Sequence, residues 1–364
     1  MPRKYKLLDS NLHHSVLTRL TLSDSVAESG LKGCNNEFIV ITEKQEGLLD
    51  QFVLVEKGQL SKDDIVLVDI VSKKISILYR RDSNSNALFV TDLCNSHCLM
   101  CPQPPKDNEG VNFKQLLEIV SFFPKDMKEI CITGGEPTLL GNNLIYLIKN
   151  ILSINNELHI HILTNARRFA NKGFVRDFAQ FSRERISFGI PLYSNNPEVH
   201  DYIVQSSGAF HQSLNGILNL SKYGFEVEIR TVLNRHTIKE LKNLSYFIYR
   251  SLPFVSHIAI MGMEEFGYVK KNKELLHINL WEHKEEVYNS VHFLFSRGMN
   301  CSLYNIPLCH LDSRLHKFSR ESISDFKVSF NSVCEKCQLR TKCGGLFRFQ
   351  AGRTQVFPFI NETS

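Results

Sequence analysis

Leu88-Phe89-Val90-Thr91-Asp92-Leu93-Cys94-Asn95-Ser96-His97-Cys98-Leu99-Met100-Cys101-Pro102 is the stretch whose reading decides the fold. Its apolar start predicts a short strand over Leu88–Thr91, and three thiols follow within eight residues. A loop of that length can wrap its thiols around one metal centre. Thiolates are the usual ligands of iron-sulfur clusters, and a four-iron cluster held by three of them keeps one iron open for another ligand. The alternatives are reduced core cysteines, or a zinc site completed by His97. Zinc normally takes paired C-x2-C ligands and no second pair lies nearby, so the spacing leans toward iron.

Downstream, short apolar runs alternate with longer amphipathic ones. Strands are expected at Glu129–Thr133, His159–Leu163, Ile186–Ile190, Val227–Val232 and His257–Met261. Helices are expected near Phe113–Phe122, Asn143–Leu152, Gly173–Phe181, Phe210–Lys222 and Ile238–Arg250. Six strand-then-helix units imply parallel strands with right-handed crossovers, hence an α/β fold with a partial (β/α)6 TIM-like barrel whose site lies at the strand carboxyl ends. After one more helix near Trp281–Arg297 the chain becomes loop-rich and bears more cysteines. Upstream, β-branched runs at Phe38–Thr42, Gln51–Glu56, Ile65–Val71 and Lys74–Tyr79 predict a small β-rich domain over 1–86, with the polar segment Arg80–Asn86 as its linker. The barrel is assigned to 87–270 and the helix with its cysteine-rich tail to 271–364.

Composition narrows the classes. Of 364 residues, 43% are hydrophobic and 22% charged, an ordinary globular balance. Arg3, Lys4 and Lys6 precede no apolar segment of signal-peptide type, and no run reaches membrane-helix length, so a soluble, cytoplasmic protein without membrane partners is expected. A net charge of +5 with both signs scattered gives no support to a nucleic-acid surface. Among the ten cysteines, six fall in two tight groups, a pattern of metal binding in a reducing compartment rather than of a disulfide scaffold. Cys34 and Cys131 sit among apolar neighbours and read as buried small hydrophobes.

The Cys94-x3-Cys98-x2-Cys101 spacing at a strand end resembles the signature of radical S-adenosylmethionine (SAM) enzymes. The resemblance implies a [4Fe-4S] cluster whose open iron takes the amino and carboxylate groups of SAM. It further implies reductive cleavage of SAM to a 5′-deoxyadenosyl radical that abstracts hydrogen from the substrate. Such a reaction calls for an electron donor such as flavodoxin or ferredoxin. Family members often carry an aromatic residue immediately before the third cysteine, where this chain has Met100. Gly134-Gly135-Glu136-Pro137 resembles the family's GGEP motif, in which the glycine backbone and the glutamate receive the methionyl ammonium. The resemblance further implies SAM contacts from Thr164-Asn165, Ser187, Tyr193-Ser194 and Arg230, with Met261 and Met263 near the adenine. As ordinary strand-end groups these same residues would simply pack the fold.

Cys334-x2-Cys337-x5-Cys343-Gly344-Gly345 resembles the auxiliary-cluster segment of peptide-modifying radical SAM enzymes. It implies a second [4Fe-4S] cluster. The position of the next usual cysteine is Phe347, so a fourth ligand must come from elsewhere, with Cys309 first and Cys301 behind it. A zinc knot using Cys309 or His310 is the alternative.

Ile77-Leu78-Tyr79-Arg80-Arg81, Cys98 to Lys106 and Cys343-Gly344-Gly345-Leu346-Phe347 together are similar to the His-Xaa-Ser system radical SAM maturases of the HxsC type. That likeness implies a ribosomally made peptide or protein substrate, such as a His-Xaa-Ser repeat protein, and a second radical SAM partner, HxsB. Glu198-Val199-His200-Asp201-Tyr202 to Phe210 is also similar to the corresponding part of peptide maturases. A small-molecule or nucleotide substrate, and a non-catalytic iron-sulfur subunit, are the competing functions. No catalytic acid or base is identified.

Overall fold

The computed structural model describes residues 60, 61, 63–69, 71, 72, 74–106, 111–321, 324 and 327–360, together with strand backbone at 3–6, 9–10, 16–19, 36–41 and 51–56. Cys34 lies outside them. The chain divides into two compact units, one of residues 1–90, 111–131 and 146–158, the other of 91–110, 132–145 and 159–364.

Among the described residues, seven strands open the chain: β1 (Arg3–Lys6), β2 (Asp9–Ser10), β3 (Val16–Arg19), β4 (Asn36–Ile41), β5 (Gln51–Glu56), β6 (Ile65–Asp69) and β7 (Lys74–Tyr79). They form two antiparallel sheets, ordered β1-β7-β6-β3 and β2-β5-β4. In β7 the period of two places Ile75, Ile77 and Tyr79 on the buried face. The expected polar linker is tied down locally, because Asn86 Nδ2 donates to the carbonyls of Arg80 and Ser83.

The alternating region follows as β8 (Ala87–Phe89), α1 (Phe113–Ser121), β9 (Glu129–Thr133), α2 (Asn142–Leu152), β10 (His159–Leu163), α3 (Lys172–Phe178), β11 (Ile186–Pro191), α4 (Pro197–Val204), α5 (Ala209–Lys222), β12 (Glu226–Val232), α6 (Thr237–Ser251) and β13 (His257–Met261). All six expected strands are present. After α7 (Lys273–Leu276) and α8 (Lys284–Phe295) the sheet continues into β14 (Cys301–Tyr304) and β15 (Ser319–Arg320), so it has eight strands, ordered β15-β14-β13-β12-β11-β10-β9-β8. The pairs from β10 to β15 are all parallel. The last two strands escape the six-unit expectation because four and two residues are too few to show a period. A short antiparallel pair, β16 (Val328–Ser329) with β17 (Leu346–Phe347), holds the cysteine-bearing tail.

Alternation along the central strands sorts apolar from polar. Ile160, Ile162, Val227 and Ile229 are at most 1% exposed. Phe169, Phe178, Phe188 and Phe225 meet edge to face with centroids 5.0 to 5.9 Å apart. The intervening positions carry His161, Glu228, Arg230 and His257. Among the described residues no helix is long and apolar enough to cross a membrane.

Candidate active site

The three thiols of the first group sit on a loop fastened by backbone from three other places and by one side chain. Gly135 N donates to Thr91 O and Glu136 N to Leu93 O, both at 2.7 Å. A Cβ at Gly135 would come to 2.2 Å from Leu93 O, and one at Gly134 to 2.6 Å from Thr91 O, so only glycine permits this approach. The last carbonyls of α4 lack partners within the helix, and those of Ile203 and Val204 accept from Leu99 N at 2.9 Å and His97 N at 3.0 Å. Tyr268 N donates to Cys101 O at 2.9 Å, beside Gly267 at φ +61°. Asn272 Nδ2 donates to Leu99 O at 2.9 Å. Met100, which stands where an aromatic is usual, is buried in an apolar cluster with Leu99, Tyr193, Val204 and Val269.

Burial raises the pKa of each thiol: Cys94 to about 11, Cys98 further, and Cys101 upward as well. The Arg167 charge pulls Cys94 and Cys98 the other way. Half-buried thiols of this kind become thiolates when a metal centre supplies the compensating charge. Among the described residues no three His, Cys, Asp or Glu side chains gather tightly enough for a single metal ion. Three thiols on one loop match the ligand number that leaves one iron of a four-iron cluster open.

Glu136 has no exposed surface, and its carboxylate is bound by the chain itself. Oε1 accepts from Thr138 N (3.0 Å), Thr138 Oγ1 (2.6 Å) and Thr164 Oγ1 (2.7 Å), while Oε2 accepts from Asn165 N (2.7 Å). Pro137 is buried at the start of the helical turn that follows. The carboxylate therefore joins the ends of β9 and β10. Asn165 Nδ2 in turn donates to Asn95 Oδ1 at 2.6 Å, within the cysteine loop.

The other assigned residues lie on β11 and β12 and just after β11. Ser187 Oγ lies 2.8 Å from His161 Nδ1, near the amino end of β11. Ser194 is fully buried, donating to Glu240 Oε2 at 3.0 Å and accepting from Asn196 N, next to Tyr193, which packs against Leu99 and Met100 of the cysteine loop. Arg230 donates to Glu228 Oε1 at 3.0 Å and reaches Met261 Sδ at 3.4 Å. Glu228 belongs to a network absent from the sequence reading: His257 Nδ1 lies 2.7 Å from its Oε2, and His257 Nε2 lies 3.0 Å from Ser302 Oγ. Burial alone would raise the Glu228 carboxyl, but the His257 hydrogen bond and the Arg230 charge bring it below its ordinary value. Burial pushes His161 down to about 4. The alternating charges Glu226-x-Glu228-x-Arg230 were the signal available in the sequence.

In the tail, Cys309, Cys334, Cys337 and Cys343 line one apolar cavity with Leu308 and Phe357. Leu308 N and Gly345 N both donate to Cys343 Sγ at 3.4 Å, contacts that favour its thiolate. Burial raises Cys309, with Cys343 and Cys334 adding to the effect. His310 Nε2 pairs with the Gln355 carbonyl at 2.7 Å and borders a neighbouring cavity instead. Cys301 is buried in β14, its Sγ 3.9 Å from Val291 O, and does not line the four-thiol cavity.

Residues 88–247 match the model of the Radical SAM superfamily, and this part of the chain is a radical SAM domain. A GTP 3′,8-cyclase of Petrotoga mobilis is 30% identical over 222 residues, covering 57% of this chain and 64% of that one. The GTP 3′,8-cyclase of Aquifex aeolicus is 24% identical over 216 residues, covering 56% and 63%. The chain thus spans less than two thirds of these curated relatives. Among solved structures, native anSMEcpe with bound AdoMet and Kp18Cys peptide superposes with a TM-score of 0.51 at 13% identity, over 75% of this chain and 91% of that one. That likeness concerns the fold.

Proposed function

We propose that this chain is a radical SAM enzyme that abstracts hydrogen from a ribosomally made peptide or protein. When bound, the cluster and SAM supply the abstracting radical. The residues of the chain hold and shield that pair: Cys94, Cys98 and Cys101 as iron ligands, with Gly134, Gly135 and Asn165 shaping the loop that presents them. The four-thiol cavity is read as a second [4Fe-4S] site, with Cys309 as its fourth ligand.

The observation that carries the substrate class is a cavity of about 380 Å³ between the ends of β12–β14 and the tail. Its lining includes the amide and hydroxyl side chains of Asn305, Thr354 and Gln355, groups able to pair with the N–H and the C=O of an extended backbone, beside Asn279 and Gln350, whose amides are held by Glu282 and Met263. It shares Pro307, Leu346 and Phe357 with the four-thiol cavity. A His-Xaa-Ser repeat protein is the proposed substrate and HxsB the proposed partner. A nucleotide substrate is the second reading, supported by the GTP 3′,8-cyclase relatives and by Lys273 and Arg353 on the same cavity.

Anaerobic incubation with SAM, dithionite and either a His-Xaa-Ser repeat peptide or GTP separates the two. Peptide mass change, with deuterium passing from labelled peptide into 5′-deoxyadenosine, is the expected result. Transfer from GTP alone would replace the peptide by the nucleotide.

A further inference from the structure

One face beside the cysteine loop is basic and is not used by the site described above. Asn95, Arg167, Arg168, Ala170, Asn171 and Phe174 line a shallow hollow on it. Arg167 Nη1 donates to the Asn95 carbonyl, to Ser96 Oγ at 3.1 Å and to Ser206 Oγ at 2.8 Å. Asn95 and Ser96 lie between Cys94 and Cys98. Arg168 donates to Thr138 O at 2.5 Å and lies 4.5 Å over the Phe174 ring. Lys172 and Arg176, four apart on α3, are exposed on one side of that helix. Of the carboxylates on neighbouring segments, Asp177 follows Arg176, while Asp201 is occupied by Gly208 N at 2.6 Å and Phe210 N at 2.8 Å.

We propose that Arg167, Arg168, Lys172 and Arg176 form the docking surface for an acidic one-electron carrier protein that reduces the cluster held by Cys94, Cys98 and Cys101. The inference rests on the radical SAM reading. One electron passes from the reduced carrier to the cluster, the carrier is oxidised by one electron, and no atom is transferred. Electron-transfer encounters use small, polar interfaces, and opposite charges steer them. Here one of the cations, Arg167, is joined to the cluster loop itself, so an acidic partner docked on this face is brought beside the side chain that braces the loop.

The test compares reduction of the reconstituted full-length protein by flavodoxin hydroquinone and by dithionite, followed as loss of cluster absorbance at several ionic strengths. Lys172→Glu with Arg176→Glu is expected to slow the flavodoxin reaction by about tenfold at low salt and to flatten its salt dependence. The corresponding Gln pair should fall between. Dithionite-driven SAM cleavage should stay at the wild-type rate in both, which shows that the protein is folded and loaded. Flavodoxin reduction that is as fast in the Glu pair as in wild type, or indifferent to salt, overturns the proposal. A wild-type protein that dithionite cannot make cleave SAM overturns the radical SAM reading itself.

Discussion

The two cysteine groups differ by one thiol, and under the proposed reading that difference gives them different work. Cys94, Cys98 and Cys101 stand on a loop clamped by other backbone, with no fourth cysteine among the ligands assigned to it. Cys334, Cys337 and Cys343 share their cavity with Cys309. A four-iron cluster held by three thiolates has an iron free to bind a reactant, whereas four thiolates close it. The cradle is thus read as the chemical centre, and the tail as an electron relay or structural staple.

The strongest way to break this contrast is to change Cys94, Cys98 and Cys101 together to alanine. SAM cleavage should vanish, and iron should fall from about eight to about four per chain, as read by iron and sulfide quantitation with EPR. Zinc in the remaining site would make the tail a structural knot. Cys309→Ala comes next: it should change the EPR signal of the tail cluster and depress substrate turnover while leaving SAM-dependent changes at the cradle in place. An unaltered tail signal would remove Cys309 from the ligand set.

A gentler probe is Gly135→Ala, which forces a Cβ against the Leu93 carbonyl and should cost about 1 to 3 kcal/mol in chemical denaturation together with loss of iron from the cradle alone. The effect that is smallest at each step is titrimetric. His161 and His200 are both held near 4 by burial, against an ordinary value of 6.5. Below about pH 6.5 the unfolded chain takes up protons that the folded chain refuses, so stability is full above that pH and declines as pH falls toward 4. Each histidine should contribute on the order of 1 kcal/mol of loss per pH unit across that window. His200→Phe should reduce the slope of the urea midpoint against pH, and an unchanged slope would deny His200 that share.

What was legible in the sequence was local. The six strands from β8 to β13 announce themselves as apolar runs, and the cradle is a matter of spacing within eight residues. Long-range pairing was harder to read. Nothing near Glu136 announces that its carboxylate spans to Thr164 and Asn165, and nothing near Ser194 foretells its bond to Glu240 on α6. The Glu228–His257–Ser302 chain runs across three strands, so it becomes visible only once β12, β13 and β14 are set side by side. For the fourth tail ligand the sequence offers Cys309 first and Cys301 behind it, and the structure puts Cys309 in the same cavity as the three tail cysteines.

The fastening of the cradle also fixes an order of events during synthesis. Its loop leaves the ribosome early, yet Leu99 waits for Ile203, Cys101 for Tyr268, and Leu99 again for an Asn272 that lies 173 residues downstream. Closing loops of that length is entropically expensive until the intervening units have packed. The three thiols therefore stay without these fastenings until Tyr268 and Asn272 have been made and packed, and durable loading of iron is expected only after that.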